Sequence, residues 1–156
     1  MKVSDLMQSC PKYCAPSTNL AAVAEMLWRG GCGVLPVVDP DHQVIGIITD
    51  RDVCLALGTR DRRPSEVTAA QAMSHPAVTC KASDDIHQVL AIMHDRRIRR
   101  LPVLSDSGKL EGILSLSDLI LQARHDDGSR PELAYEDVMR VLKCIYWVHS
   151  CCCQAC

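Results

Sequence analysis

The chain has 156 residues, 47% of them hydrophobic and 23% charged, with a formal net charge of −2. That length suits one compact domain or two very small ones, and the composition is globular rather than disordered or fibrous. No apolar run approaches the roughly 18 residues of a membrane span, the start Met1-Lys2-Val3-Ser4-Asp5 lacks the apolar stretch of a secretion signal, and the charge balance offers no general basic field for nucleic acid. The expected location is cytoplasmic, with no membrane and no nucleic-acid partner, in a compartment that keeps thiols reduced. There is no Phe, and five of the ten Cys fall near the end of the chain: Cys144, Cys151, Cys152, Cys153 and Cys156.

In chain order, Leu20, Val23, Ala24 and Leu27 recur at i, i+3, i+4 and i+7, which predicts a helix with Asn19 as its N-cap. An apolar run over 34–38 predicts a strand, Asp39-Pro40-Asp41-His42 a turn, and 44–49 a second strand passing directly into a second helix. Residues 58–68 hold Arg60, Asp61, Arg62, Arg63 and Pro64 and read as an exposed connector. The same order then returns. Ile86, Val89, Leu90 and Met93 follow Asp85, then come a strand over 101–104, a turn over 105–108 and a strand over 110–115. Beyond a loop over 126–129, Pro131 suits a first helical position. Leu133, Val138, Val141, Leu142, Ile145 and Val148 give an apolar stripe to about His149.

A shift of 66 residues superposes the sequence on itself without a gap. Met7 falls on Met73, Cys14 on Cys80, Leu35-Pro36-Val37 on Leu101-Pro102-Val103, Gly46-Ile47 on Gly112-Ile113 and Asp52 on Asp118. Ordered, gapless identities of this kind mark a duplication. The predicted class is α+β (mixed α/β), with two pseudo-symmetric repeats, each a small sheet with two helices, packed sheet to sheet, plus a C-terminal helix. The boundaries are 1–58 for the first repeat, 59–70 for a connector, 71–125 for the second repeat, and 126–156 for the C-terminal helix and Cys-rich tail.

Thr49-x-x-Asp52 and Ser115-x-x-Asp118 sit where a strand hands over to a helix. Such a pair can be a capping box, with the hydroxyl as N-cap and the acid reaching back to the backbone. The same geometry can serve a ligand: a carboxylate at a helix start accepts ribose hydroxyls, and a hydroxyl with free backbone N–H groups holds phosphate.

A doubled unit with Leu35-Pro36-Val37, a turn, then Gly46-Ile47-Ile48-Thr49-Asp50-Arg51-Asp52, echoed by Leu101-Pro102-Val103 and Gly112-Ile113-Leu114-Ser115-Leu116-Ser117-Asp118, resembles a tandem pair of CBS (cystathionine β-synthase) domains, the Bateman module, of the stand-alone bacterial type. The resemblance covers roughly residues 2–124. It implies a regulatory or signalling module, not an enzyme, that dimerises with a second copy and acts on an unidentified protein. It implies adenine nucleotides (AMP, ADP, ATP or a related adenosyl compound) in clefts between the repeats, signalling by conformational or oligomeric change. No cofactor is required beyond that regulatory ligand.

The resemblance assigns Thr49, Asp52, Ser115 and Asp118 to ribose and phosphate. Arg51 becomes a phosphate anchor that Ser117 replaces in the second copy. Arg99 and Arg100 enter the second copy's first strand and are candidates for a phosphate contact, where the first copy has Gly33 and Val34. The adenine slot is expected along 13–16 and 79–82, with Cys14, Pro16, Val78, Thr79, Cys80 and Ile98 as lining.

The His residues show no ligand spacing. In the tail, Cys153-Gln-Ala-Cys156 alone has metal-type spacing, with Cys144 as a conceivable third ligand. Two alternatives to the nucleotide reading stay open: a ligand-free oligomerisation or interaction module, and a metal or redox sensor acting through the tail.

Overall fold

The computed structural model describes residues 1–125, 128 and 131–150, with side chains as far as Trp147. In chain order the elements are β1 (Gln8–Ser9), α1 (Leu20–Gly30), β2 (Val34–Val38), β3 (Val44–Thr49), α2 (Asp50–Arg60), α3 (Ala69–Ala72), β4 (Cys80–Lys81), α4 (Ile86–Arg96), β5 (Arg100–Leu104), β6 (Leu110–Ser115), α5 (Leu116–Gln122) and α6 (Tyr135–Ser150). The fold is mixed α/β and divides into two compact units.

One unit comprises Cys10–Val78 with Ser107–Glu111. Its β2 and β3 are antiparallel, with Val34 opposite Thr49 and Leu35 opposite Ile48. All five β2 residues are buried, which explains why the strand reads as an unbroken apolar run rather than an alternation. Asn19 caps α1 by accepting from Ala22 N at 3.0 Å, and Gly31 ends the helix in the left-handed region at φ 57°. Leu20, Val23, Leu27, Leu35, Val37 and Ile48 form the core with Val53 and Ala56 of α2. Aliphatic side chains fill it without any Phe.

The other unit comprises Met1–Ser9, Thr79–Asp106 and the chain from Gly112 onward. Its sheet has the order β1-β6-β5-β4. β1 is antiparallel to β6, with Gln8 opposite Ile113, and β4 is parallel to β5, with Cys80 opposite Val103. Helix α6 packs against α4 and α5 and buries Val138, Val141 and Ile145.

The segment leading into each repeat therefore lies in the unit built by the other repeat. Ile86 N donates to Met1 O at 3.1 Å, and the equivalent Leu20 N donates to Val67 O at 2.8 Å. Lys2 bridges to Asp85 as Thr68 bridges to Asn19. A Cβ on Gly46 would overlap Met73 Sδ, and one on Gly112 would overlap Met7 Sδ. These two glycines are needed for the close approach of a methionine.

Two expectations are corrected. The connector is exposed only in part: residues 60–66 face solvent, but Val67 is 2% exposed because it follows Leu20 into the core. Pro131 does not open the last helix, which starts at Tyr135. Arg124 N donates to Leu133 O and Tyr135 N to Arg124 O, a parallel bridge that sets Ala134 beside Arg124 directly before the helix.

Candidate functional site

Each repeat presents the same junction. β3 ends at Thr49, whose extended backbone (φ −117°) turns directly into α2. Thr49 Oγ1 accepts from Asp52 N at 3.2 Å and donates to Asp52 Oδ2 at 2.7 Å, while Thr49 N donates to the same oxygen at 2.8 Å. In the second repeat Ser115 Oγ accepts from Asp118 N at 3.3 Å and donates to Asp118 Oδ2 at 2.6 Å, and Ser115 N donates to that oxygen at 2.8 Å. Both are complete capping boxes. In each, one carboxylate oxygen carries the cap.

The second oxygen distinguishes the repeats. Asp118 Oδ1 accepts from the Gln8 side-chain amide at 2.8 Å. Position 74, the repeat equivalent of Gln8, is a serine whose backbone pairs with Ile47. Among the described residues no side chain donates to Asp52 Oδ1. Sequence reasoning missed Gln8, because nothing in its neighbourhood hints at a contact this remote in the chain.

Strand entries complete the two junctions. Gly33 O accepts from Asp50 N at 3.4 Å, and Arg99 O accepts from Leu116 N at 2.8 Å. Arg99 is thus tied by its backbone to the first residue of α5. Its exposed side chain and that of half-buried Arg100 make no ion pair among the described residues, and the same holds for exposed Arg51 in the first turn of α2. Two of the connector arginines are engaged locally. Arg60 donates to Gln71 O at 2.7 Å and Arg62 pairs with Glu66 at 3.2 Å.

The expected adenine-slot residues lie as follows. Cys14 runs parallel to β2, its N donating to Pro36 O at 3.0 Å and its O accepting from Val38 N at 2.9 Å. Pro16 is half-buried, its carbonyl accepting from Ala70 N at 3.0 Å. Cys80 holds the matching place beside β5, and Thr79 precedes it, half-buried. Ile98, half-buried, follows the end of α4 and donates to Met93 O at 3.1 Å. Val78 is also half-buried but belongs to the first repeat's unit. Burial pushes the Cys14 thiol up to about 11 and, with Asp84 nearby, the Cys80 thiol up to about 12. Burial disfavours the thiolate of each, and both pack as small side chains.

No cluster of His, Cys, Asp and Glu able to hold a metal occurs among the described residues. Cys144 Sγ donates to His94 O at 3.6 Å. Cys153 and Cys156, with the rest of the tail thiols, lie outside the described residues. No helix among them is long and apolar enough to cross a membrane.

The CBS domain model matches residues 3–59 and 66–124. An uncharacterised protein of Methanopyrus kandleri is 32% identical over 68% of this chain and 54% of its own length. YlbB, an uncharacterised protein of Bacillus subtilis, is 32% identical over 81% of this chain and 84% of its own. Inosine-5'-monophosphate dehydrogenase of Haemophilus influenzae is 34% identical over 69% of this chain but only 21% of the dehydrogenase. The chain thus spans about half of the first of these relatives and a fifth of the last.

Among solved structures, a CBS domain protein of unknown function from Thermoplasma acidophilum superposes with a TM-score of 0.77 at 22% identity, over 92% of this chain and 75% of that one. CBSX2 in complex with AMP gives 0.67 at 24%, over 77% and 93%. The CBS domain pair of protein MJ0100, in complex with 5'-methylthioadenosine and S-adenosyl-L-methionine, gives 0.66 at 26%, over 76% and 96%. The repeat is therefore a tandem one, and the chain belongs to the CBS-domain family.

Proposed function

We propose that this protein is a regulatory module that binds an adenine nucleotide or a related adenosyl compound at the strand-to-helix junctions of its repeats. Bound ligand changes its conformation or oligomeric state, and a partner protein reads that change. The observation that carries the reading is the pair of carboxylates, Asp52 and Asp118, each held at a helix start by one oxygen. The other oxygen of each is the acceptor for a ribose hydroxyl in this reading, at Asp118 only once Gln8 has left it, and the positive end of the helix favours phosphate beside it. CBS pairs crystallised with AMP, or with 5'-methylthioadenosine and S-adenosyl-L-methionine, support this ligand class. The matched part of the dehydrogenases is a small fraction of them, consistent with regulation rather than catalysis.

The junctions differ, so two affinities are expected. The first offers an open Asp52 Oδ1 with Arg51 beside it. The second offers Arg99 and Arg100, but Gln8 must leave Asp118 before a ribose can take its place.

The test is calorimetric titration with AMP, ADP, ATP and S-adenosylmethionine. A hydrogen bond to a charged group contributes about 1.5–3 kcal/mol, so Asp52→Ala or Asp118→Ala should weaken its own site roughly ten- to a hundredfold. Gln8→Ala should tighten the Asp118 site several-fold and leave the other unchanged. Absence of binding by every adenosyl compound would sink the proposal.

A further inference from the structure

Strand β1 holds only Gln8 and Ser9, and both are exposed. A strand so short buries no face of its own, so its attachments keep it on the edge of β6. On its N-terminal side Val3 is fully buried, and Val3 N and Ser4 N donate to Asp84 O and Ala82 O at 3.0 and 2.9 Å. On its C-terminal side the chain turns at Cys10, a non-glycine residue in the left-handed region at φ 55°. Between these points residues 7–9 form a strap, with Met7 against Gly112 and Gln8 opposite Ile113. The Gln8 amide, donating to Asp118 Oδ1 at 2.8 Å, latches the strap to α5. A hydrogen bond to a carboxylate is charge-assisted, which makes this a strong attachment for an exposed side chain.

The first repeat has the strap without the latch. Met73 lies against Gly46, Ser74 N donates to Ile47 O at 2.9 Å and Ile47 N to Ser74 O at 3.0 Å. Asp52 Oδ1 receives no side chain from that segment.

We propose that Gln8 is an internal substitute for a ribose hydroxyl, and that ligand at the second junction unlatches residues 7–9 from β6. This rests on the nucleotide reading above and supplies its output. Asp118 Oδ2 already accepts from Ser115 N and Ser115 Oγ. Both hydroxyls of a ribose diol therefore fall to Oδ1, whose two lone pairs leave no place for Gln8. The coupling is reciprocal: the factor that the latch takes from ligand affinity, the ligand takes from the latch. A loosened strap opens the β6 edge at Gly112 and Ile113, and an open strand edge is a surface on which another backbone can pair. Ligand at the first junction meets no latch and leaves residues 73–75 in place.

Amide hydrogen exchange of the full chain, with and without AMP, ADP, ATP or S-adenosylmethionine, tests this, with calorimetry to establish binding. A compound that binds should, at saturation, speed exchange over residues 7–9 and 112–113 several-fold, while 46–47 and 73–75 keep their rates or slow. Gln8→Ala without ligand should show the same fast pattern, and ligand should then speed nothing further. Gln8 is exposed, so the substitution leaves the core intact. Gln8→Asn, which keeps the amide but shortens its reach, should behave as Gln8→Ala does. Binding that Asp118→Ala weakens, but that leaves residues 7–9 as slow as in the free protein, overturns the latch and leaves the nucleotide reading standing. An affinity unchanged by Gln8→Ala does the same, as does binding that Asp118→Ala leaves unaltered. No binding of any of the four compounds overturns both.

Discussion

Arg97 shows how single residues differ between repeats that share a backbone. It ends α4 in the left-handed region at φ 54°, where the first repeat has Gly31 at φ 57°. Its N–H still donates to the carbonyls of His94 and Met93, so the helix stop is made, with a side chain in a conformation that costs roughly 1 kcal/mol. Arg97 is exposed and makes no ion pair among the described residues. Arg97→Gly should therefore stabilise the protein by about 0.5–1 kcal/mol, seen as a higher urea midpoint with an unchanged slope. A lower midpoint would mean that the guanidinium holds something the backbone argument omits. The capping role of Thr49, Asp52, Ser115 and Asp118 was legible at this scale, because hydroxyl and acid lie three residues apart on one helix start. The Gln8 contact was not, because the two partners are 110 positions apart and a lone glutamine carries no local signal.

Among the elements, apolar spacing located α1, β2, β3, α4, β5 and β6, since each has a buried face that its own residues must supply. The start of α6 was misjudged because proline suits a non-helical lead-in as well as a first helical turn, and the helix begins only after Ala134 has bridged to Arg124. The repeated glycine was visible as an identity, yet its reason lies in another element. In the first repeat, an alanine Cβ at position 46 would overlap Met73 Sδ and come within 3.1 Å of Ser74 O. Ser74 is itself fixed, its N donating to Ile47 O at 2.9 Å. Gly46→Ala should cost about 1–3 kcal/mol, the usual penalty for overpacking. Adding Met73→Ala should recover part of that loss, because it removes the sulfur and leaves only the carbonyl contact. If the double variant melts below either single one, close approach is not why glycine occupies this position.

For the whole molecule, the 66-residue period gave the number of repeats and the motifs within it the resemblance to the family, but neither could say which repeat each leading segment joins. The identities are the same whether that segment folds back on its own repeat or crosses to the other. The crossing follows from physics that only coordinates display: Val3 is fully buried, Val3 N and Ser4 N donate to Asp84 O and Ala82 O at 3.0 and 2.9 Å, and β1 borders β6. Removing residues 1–9 therefore takes a strand and a core side chain from the unit that holds the second repeat. It also exposes the surface of Gly112 that Met7 covers. Hydrogen exchange of that truncated chain should rise more over residues 112–119 and 84–90 than over 46–53, even though 46–53 lies nearer to the cut in sequence. Loss of Gln8 with the same segment leaves Asp118 Oδ1 open, so nucleotide should slow exchange around α5 more in the truncated chain than in the intact one. The reverse ranking, with the first repeat loosening most, would mean that each repeat folds with its own leading segment.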